Sequence, residues 1–468
     1  MWVRGRQIAS LSALLAFLAI GSQGAAPLNE TAQLLSEIIR VNTTNPPGHE
    51  GQLAELLASK FRSLGFQIDI IPTPDAGKAH FIARLRGDGS KKPVLLAAHA
   101  DVVGVERDKW SVDPFQGVIK DGYVYGRGAI DFKGGIAVFA QAVLMLAKNK
   151  VPLARDVIFL SEADEEGGTY NTTWLAEHHW DKIDCEFALN EGGWIMKGSD
   201  GKVRYASIST ADKSGVSLVL TAHGTSTHSS MPRPDNAIFT LNRAMVKIAD
   251  YDTKPFLIPI TKEFFATLGK TSKPPMSAYF DALVNSQDPA QVHQADIEIS
   301  KDPLLHAIMR NTIAPVLMNA GFRGNVIPGT AQATINLRII PGTNPEDLIQ
   351  EMKHVINDPR VDVAFATGVA GVRTSPPSSQ DTELYQSLAR QAKAVYPEAT
   401  VTPYLFQAGT DSFAWRSRGV PVYGTYPYPI DPEDLTRMHG NDERVSIESL
   451  RTGTELIYRT LVEVAGRK

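Results

Sequence analysis

Two apolar segments, PVLLAAHADVV (residues 93–103) and DVIFLSEADEEGG (156–168), decide the fold of this chain. Each is apolar before its polar end, as expected for a strand that is buried on both faces of a sheet. A helical segment, GGIAVFAQAVLMLAKNK (134–150), lies between them. This alternation predicts an α/β fold with helices on both faces of a mixed sheet. In such sheets the active site lies beyond the carboxyl ends of the strands, where both segments become polar.

The pattern changes near residue 213. SGVSLVLTAHG (214–224) alternates apolar and polar residues, as a half-exposed strand does. Residues 252–310 have no clean period, and we predict that they form an irregular extension of an inserted domain. The predicted organisation is a catalytic domain in two parts, 26–212 and 375–468, with an inserted α+β lid or dimerisation domain, 213–374.

The first 25 residues have the pattern of a secretory signal peptide. Arginines in MWVRGRQ (1–7) precede the apolar run IASLSALLAFLAI (8–20) and the small residues GSQGAA (21–26). The apolar run is shorter than the ~20 residues that span a bilayer. We therefore predict a secreted or periplasmic protein, with an uncleaved N-terminal membrane anchor as the alternative.

Composition argues against nucleic-acid binding and against any bond or site that needs two cysteines. The formal net charge is −4, so no basic excess indicates nucleic-acid binding. Cys185 is the single cysteine, so the chain can form neither an intrachain disulfide nor a thiolate metal cluster.

Polar residues follow the predicted strands where the strands end. His99 and Asp101 share a strand face, so an imidazole that binds a metal would have a carboxylate beside its other ring nitrogen. Asp131 lies in GRGAIDFKGG (126–135), whose glycines let the backbone approach a ligand closely. Further acids and a histidine follow later in the chain: Asp164, Glu165, Glu166, Glu191 and His439.

Each of these features has a structural explanation when it is taken alone. The His-x-Asp pair can be structural, Asp131 can form a turn or cap a helix, and the three adjacent acids can form a solvated turn. Together, two histidines and several carboxylates at strand ends are what a two-metal hydrolase requires. In such enzymes a carboxylate bridges two cations, the metals lower the pKa of bound water, and a further carboxylate accepts its proton.

Five motifs in this order closely resemble the co-catalytic zinc aminoacylase/carboxypeptidase family. They are HADVV (99–103), GRGAIDFKGG (126–135), EADEEGG (162–168), NEGG (190–193) and MHG (438–440). The family includes acetylornithine deacetylase, succinyl-diaminopimelate desuccinylase, aminoacylase, glutamate carboxypeptidase and carnosinase. The resemblance runs from about residue 30 to the C-terminus and includes the inserted segment.

The resemblance implies two zinc ions per chain, with Co²⁺ or Mn²⁺ as possible replacements. Asp101 would orient His99, and Glu165 would be the general base. The ligands would be His99, Asp131 and Glu191 for the first ion, and Asp131, Glu166 and His439 for the second, with Asp131 shared.

The inserted segment resembles the lid, or dimerisation, domain of the family. His228 in GTSTHSS (224–230) would reach the active site of a neighbouring subunit in a homodimer and stabilise the oxyanion. Other residues match positions that hold the substrate or contact its carboxylate end: Asn325, Arg338, Gly409 and Thr410.

The chain departs from the usual family pattern at two positions. Asn190 stands where many relatives have an aspartate, and it cannot serve as a carboxylate ligand, so Glu191 is assigned instead. A glutamate in this role occurs in aminoacylase-like and carnosinase-like members, which favours dipeptides or N-acyl amino acids as substrates. Asn336 replaces the aspartate that usually stands two residues before Arg338, so an acidic partner for the arginine is missing.

These expectations predict a metallohydrolase that cleaves an amide or peptide bond beside a free carboxylate, of the carboxypeptidase or dipeptidase type. Its substrate would be a small peptide, and deacylation of an N-acyl amino acid is the alternative. A two-metal phosphoesterase and a catalytically dead peptide-binding protein are remoter alternatives. Dead relatives normally lose the base or a ligand, and here every expected position is filled.

Overall fold

A computed structural model describes residues 26–366 and 374–467. The predicted signal peptide, residues 1–25, lies outside the described residues. Within those residues, no helix is both long enough and apolar enough to cross a membrane.

Strands and helices are numbered in chain order along the described residues. The strands are β1 (Gln67–Pro72), β2 (Ala79–Leu85), β3 (Val94–His99), β4 (Val118–Lys120), β5 (Tyr123–Tyr125), β6 (Val157–Glu162), β7 (Phe187–Asn190), β8 (Ile195–Lys197), β9 (Val203–Asp212), β10 (Ser214–His223), β11 (Thr227–His228), β12 (Thr312–Ala320), β13 (Val326–Ile327), β14 (Thr330–Ile339), β15 (Val361–Phe365), β16 (Thr400–Phe406), β17 (Val422–Gly424), β18 (Pro429–Ile430) and β19 (Arg444–Ser446). The helices are α1 (Ala26–Ile39), α2 (Glu50–Phe61), α3 (Lys133–Lys148), α4 (Thr172–His178), α5 (Trp180–Ile183), α6 (Ala237–Ala249), α7 (Pro259–Thr271), α8 (Met276–Asn285), α9 (Pro289–Ile299), α10 (Pro303–Ile308), α11 (Pro345–Ile356), α12 (Glu383–Val395), α13 (Phe413–Arg416), α14 (Pro432–Leu435) and α15 (Ile447–Ala465).

The large sheet has ten strands in the order β1-β2-β6-β3-β7-β17-β9-β8-β18, with β16 paired to β9. It is mixed, because β6, β3, β7 and β17 run parallel while β2 pairs antiparallel with both β1 and β6. Along β3 the side chains alternate: Leu96 packs into the core on one face, and Leu95 packs into the core on the other. Both faces carry helices, and the predicted α/β fold is confirmed.

A smaller antiparallel sheet has the order β12-β14-β10-β15. Helices α6 and α11 cover one of its faces and share its separate hydrophobic core. Strand β12 lies at the edge of this sheet, and its residues Val316, Leu317 and Met318 are exposed. All four strands come from residues 214–365, inside the predicted insert. The domain boundaries at 212 and 374 stay predictions.

The prediction of an irregular extension at residues 252–310 is wrong. This segment contains four helices, α7 to α10, and Phe264 and Phe265 of α7 pack into the core of the large sheet. Phe264 contacts Tyr404 of β16 with ring centroids 5.2 Å apart. The helices are short and are separated by prolines, so no long apolar period is visible in the sequence.

Candidate metal centre

Three parallel strands bring polar residues to the same edge of the large sheet. Strand β3 ends at His99, its neighbour β6 ends at Glu162, and β7 ends at Asn190, one residue before Glu191. His99 and Glu162 are paired in register. Because parallel strands end at the same edge, the residues at or just after these ends converge, as predicted from the sequence.

Asp131 lies at the centre of this edge, just before α3. Its Oδ1 is 3.0 Å from His99 Nε2, and its Oδ2 is 3.1 Å from His439 Nε2. Although burial acts to raise it, hydrogen bonds from His439 and His99 hold the pKa of Asp131 well below its usual value. One carboxylate therefore faces two imidazoles with different oxygens.

On one side of Asp131, ligand atoms of His99, Asp131 and Glu191 lie within 4.8 Å of one another. His99 Nε2 is 3.8 Å from Glu191 Oε2, and all three residues are buried. Burial, and then repulsion from Asp131, raise the pKa of Glu191 well above its usual value. In this first group, His99 and Glu191 come from the ends of β3 and β7, and Asp131 comes from the loop before α3.

On the other side, ligand atoms of Asp131, Glu166 and His439 also lie within 4.8 Å of one another. His439 Nε2 is 3.0 Å from Glu166 Oε1. Hydrogen bonds to Asp131 and then to Glu166 raise the pKa of His439 to about 10. The His439 side chain is 44% exposed, so this second group faces the cleft more openly than the first.

Asp101 connects His99 to the acidic loop that follows β6. The Nδ1 atom of His99 lies 3.0 Å from the carbonyl oxygen of Asp101, so Nδ1–H can donate there while Nε2 faces Asp131. The two carboxylate oxygens of Asp101 accept the backbone N–H groups of Glu165 at 3.1 Å and Glu166 at 2.9 Å. Asp101 therefore fixes both the ring of His99 and the start of the acidic loop.

Glu165 lies between the two groups, because its carboxylate forms a third cluster with His99 and Glu166. Burial raises the pKa of Glu165 well above its usual value, and repulsion from Glu191 adds to this effect. A carboxylate with raised proton affinity beside a metal site is suited to accept a proton from water.

The donor chemistry fits divalent cations. Imidazole nitrogens and carboxylate oxygens are the usual ligands of zinc when no thiolate is present. Several acids in one partly buried cluster repel one another unless cations neutralise them. The cluster contains more carboxylates than imidazoles: Asp131, Glu165, Glu166 and Glu191 against His99 and His439.

The acidic cluster opens into a cleft with a volume of about 420 Å³. Arg338, Gly409 and Thr410 line this cleft together with Glu165 and His439. Arg338 comes from β14 of the small sheet, and its Nη1 would lie 3.8 Å from a Cβ added at Gly409. In the described parts of the chain, no carboxylate forms an ion pair with Arg338. The two sheets thus contribute opposite charges to one cleft.

His228 and Asn325 do not line this cleft. His228 pairs with Val326 in the two-stranded sheet β11-β13, and Asn325 lies directly before β13. Both residues are exposed, and His228 Nδ1 is 2.8 Å from Ser230 Oγ. Within one chain, therefore, the structure does not bring these two predicted residues to the acidic cluster.

Tyr426 contacts the centre and was not predicted from the sequence. Its hydroxyl lies 2.9 Å from Glu191 Oε2 and 3.1 Å from Asp131 Oδ1, so its proton can be donated to either carboxylate. The ring stacks on Trp194 with centroids 4.3 Å apart. The surrounding TYPYP segment (425–429) matches no metal motif, and proximity in space is the signal that identifies this tyrosine.

A comparison with protein families identifies a match over most of the chain. The family described as Peptidase family M20/M25/M40 matches residues 95–463. A probable carboxypeptidase S-like 2 from Dictyostelium discoideum is 31% identical over 385 residues, which cover 80% of this chain and 72% of that protein. The N-fatty-acyl-amino acid synthase/hydrolase PM20D1 from Homo sapiens is 29% identical over 398 residues, which cover 82% of this chain and 76% of that protein.

A solved structure shares the fold. The M20 family metallo-carboxypeptidase Sso-CP2 from Sulfolobus solfataricus has a TM-score of 0.67 at 17% identity, covering 93% of this chain and 99% of that chain. The resemblance that the five motifs indicated is confirmed, and so is the prediction of a metal-dependent hydrolase. The chain belongs to peptidase family M20/M25/M40.

Proposed function

We propose that this protein hydrolyses an amide or peptide bond beside a free carboxylate, as a carboxypeptidase or dipeptidase does, with two zinc ions per chain. The observation that carries the proposal is the position of Asp131, whose two oxygens face His99 and His439 in the same cleft as Arg338. A carboxylate that bridges two cations must direct one oxygen towards each of them, as Asp131 directs its oxygens towards the two histidines.

In this proposal one ion is held by His99, Asp131 and Glu191, and the other by Asp131, Glu166 and His439. Such ions lower the pKa of water and polarise a carbonyl group. Co²⁺ or Mn²⁺ could replace zinc, because imidazole and carboxylate accept all three. Elemental analysis of the active protein should give two ions per chain, and full activity with a single bound ion would contradict the proposal.

Glu165 acts as the general base. It accepts a proton from the attacking water and returns it to the amine that leaves. A carboxylate that lies close to both the water and the amine can perform both transfers. Asp101 keeps Glu165 in place by accepting its backbone N–H.

Arg338 binds the carboxylate of the substrate. Its guanidinium lines the cleft near Gly409 and can form a charged, bidentate contact. Thr410 is held there by its hydrogen bond of 2.7 Å to Asp212 Oδ2. A substrate without the carboxylate would leave the arginine unpaired, and this supplies discrimination.

A second candidate activity is the deacylation of N-acyl amino acids. The relative from Homo sapiens is named for N-fatty-acyl-amino acids, and this substrate class also has a carboxylate beside the scissile amide. Dipeptides and N-acyl amino acids differ on the acyl side alone. The discriminating experiment is a zinc-loaded assay of paired substrates with the same C-terminal amino acid and either an aminoacyl or a fatty-acyl group.

The same assay tests the proposed function as a whole. Substrates with a free carboxylate should be hydrolysed, while their C-terminal amides and simple phosphate esters should react far more slowly. Equal rates for the acid and the amide would contradict the role of Arg338. Turnover of phosphate esters without amide hydrolysis would support a phosphoesterase, and binding of peptides without turnover would support a dead binding protein.

We also propose a homodimer in which the small sheets pair through β12. The apolar side chains Val316, Leu317 and Met318 of this edge are exposed, as are Phe239 and Val246, seven residues apart on α6. Apolar side chains on an unpaired edge indicate a contact surface. Pairing two such edges would let His228 of one subunit serve the cleft of the other and stabilise the oxyanion, with Asn325 beside it.

Two inactive variants test this exchange. Glu165→Gln and His228→Ala, mixed under conditions in which subunits exchange, form mixed dimers with one intact site each. If His228 works across the interface, an equal mixture should recover about a quarter of full activity. No recovery while the subunits demonstrably exchange would show that His228 does not serve the partner.

A further inference from the structure

A buried ion pair, Arg127 with Glu443, lies beneath the metal centre and takes no part in the proposed chemistry. The Arg127 side chain is 2% exposed and that of Glu443 is 0% exposed, with Arg127 Nη1 2.5 Å from Glu443 Oε2. Burying two charges has a large desolvation cost, so such a pair needs further hydrogen bonds to both partners. Those hydrogen bonds show what the pair holds.

The backbone places the two residues opposite each other. Glu443 directly precedes β19, which pairs antiparallel with β5, and Arg127 follows β5 by two residues. The amide of Gly126 donates to the carbonyl of Glu443 at 2.9 Å. Two segments more than 300 positions apart in sequence are thereby brought together beside the loop of Asp131.

Glu443 holds the loop that ends in Asp131. Besides Arg127, its Oε2 accepts the backbone N–H of Gly128 at 3.1 Å. Its Oε1 accepts the N–H of Ile130 at 2.8 Å and the N–H of Asp131 at 3.1 Å. The loop thus wraps around one carboxylate, and the backbone of the bridging aspartate is fixed directly.

Arg127 holds the loop of His439. Its Nη2 donates to the carbonyl of Gly440 at 2.9 Å and to the carbonyl of His439 at 3.2 Å. His439 has a left-handed backbone, with φ of 59°, which is unfavourable for a histidine without such support. The arginine therefore links the backbone of His439 to the loop of Asp131.

We propose that Arg127 and Glu443 are positioning residues that set the spacing between Asp131 and His439, and so determine how tightly the second metal ion is bound. The inference rests on the ligand assignment of the proposed function. The other ligands of the first ion, His99 and Glu191, are held at the ends of β3 and β7 by the sheet itself. Weakening the ion pair should therefore affect the two ions unequally.

The experiment is a zinc titration of the metal-free protein against a chromophoric chelator, which reports two successive affinities without an activity assay. Arg127→Lys keeps the positive charge but lacks the fork that reaches Glu443 and both carbonyls at once. We expect one of the two affinities, which we assign to the second ion, to fall by about 10- to 100-fold, as for other residues that orient metal ligands. The other affinity should change much less.

Glu443→Gln is the second variant. Its amide oxygen can still accept from Ile130 and Asp131, but its NH₂ group would face the donors Arg127 and Gly128. We expect it to lower the same affinity, so the inference is tested even if Arg127→Lys does not fold.

Arg155→Lys is the matched control. Arg155 is equally buried, at 1% exposed, and pairs with Glu186 and Glu383 at 2.7 Å each. It precedes β6 by two residues, so it lies at the opposite end of that strand from the metal centre. This variant should lower the melting temperature while leaving both zinc affinities unchanged.

The outcomes separate this inference from the proposed function. A wild-type protein that binds one zinc ion contradicts the two-metal proposal, and the inference falls with it. If the wild type binds two ions, equal weakening of both in Arg127→Lys and Glu443→Gln overturns the inference alone. Unchanged affinities, or changes no larger than those in Arg155→Lys, overturn it as well.

Discussion

The two halves of the candidate metal centre are built differently. The His99 half lies at the ends of adjacent parallel strands, and its histidine is 1% exposed. The His439 half lies on loops, and its histidine is 44% exposed. Hydrogen bonds between strands fix the first half, whereas contacts between distant segments fix the second. One centre thus combines a ligand set preorganised by secondary structure with another that depends on long-range contacts.

Replacement of the two histidines gives the largest expected effect on this comparison. His99→Ala and His439→Ala should each abolish measurable amide hydrolysis, because each removes a proposed metal ligand. The metal-free proteins should differ, since the buried His99 also packs near Phe132, with ring centroids 6.0 Å apart. We expect His99→Ala to lower the free energy of unfolding by about 2 kcal/mol or more, and His439→Ala to lower it by less, because solvent screens the contacts of its half-exposed ring with Asp131 and Glu166. Thermal unfolding of both apoproteins measures this, and equal losses would remove the distinction between the halves.

Glu165 lies between the two halves, and its replacement should cause a smaller loss of activity than replacement of either histidine. Glu165→Gln should lower kcat by at least about a hundredfold, because the amide cannot accept the proton, while metal content stays nearly intact. Steady-state kinetics and elemental analysis of the same sample check this. Parallel losses of metal and activity would make Glu165 a ligand and would overturn the assignment of Glu166.

Arg338 comes from the small sheet, and loss of its contact with the substrate carboxylate should lower kcat/KM by about ten- to a hundredfold. Converting the substrate carboxylate to its amide should produce this loss in the wild type. Arg338→Ala should lose activity on the acid and remove most of the difference between acid and amide. If the variant still discriminates fully between them, another group binds the carboxylate.

The smallest expected effect is on the pH dependence of stability. It concerns the acidic loop of the His439 half. His80 is fully buried; its Nδ1 accepts the N–H of Ala163 at 3.2 Å, and its Nε2 lies 2.9 Å from the carbonyl of Tyr170. Burial lowers the pKa of His80 to about 4, so the neutral ring bridges the two ends of the loop. Between the unfolded pKa of about 6.5 and this value, the unfolded chain binds more protons, so stability falls as pH falls.

The measurement compares melting temperatures of the apoprotein from pH 7 to pH 4. We expect His80→Phe, which keeps the packing near Trp174, to be less stable at pH 7 but to lose less stability on acidification than the wild type. Identical slopes would show that His80 does not titrate in this range.

The same contrast explains what the sequence could predict. His99, Asp131 and Glu191 were predicted because each lies beside an apolar strand or a glycine-rich loop, and such patterns are local. Tyr426 was missed because it is 295 positions from Asp131, and its segment carries no metal-binding pattern. Glu443 was missed for the same reason, since its contacts with the Asp131 loop depend on the long-range pairing of β19 with β5.

The sequence nevertheless contains a local signal for two of the helices in residues 252–310. Asp288 and Asp302 cap α9 and α10, and each is followed by a proline at the first helical position. An aspartate cap before proline is a recognised start of a helix. Which core these helices join is not a local property, because Phe264 meets Tyr404 far along the chain.

The exposed edge of β12 has a consequence for handling the protein. In residues 26–366 and 374–467 no strand pairs with its outer edge, so the N–H and C=O groups beside Leu317 and Met318 form a template that an extended chain can join, whether or not it is a second copy. If the proposed dimer forms through β12, a chain that is still monomeric during dilution, refolding or overexpression offers this edge to misfolded neighbours. Aggregation and the proposed dimerisation would then compete for the same strand, and a charge placed at Leu317 should suppress both.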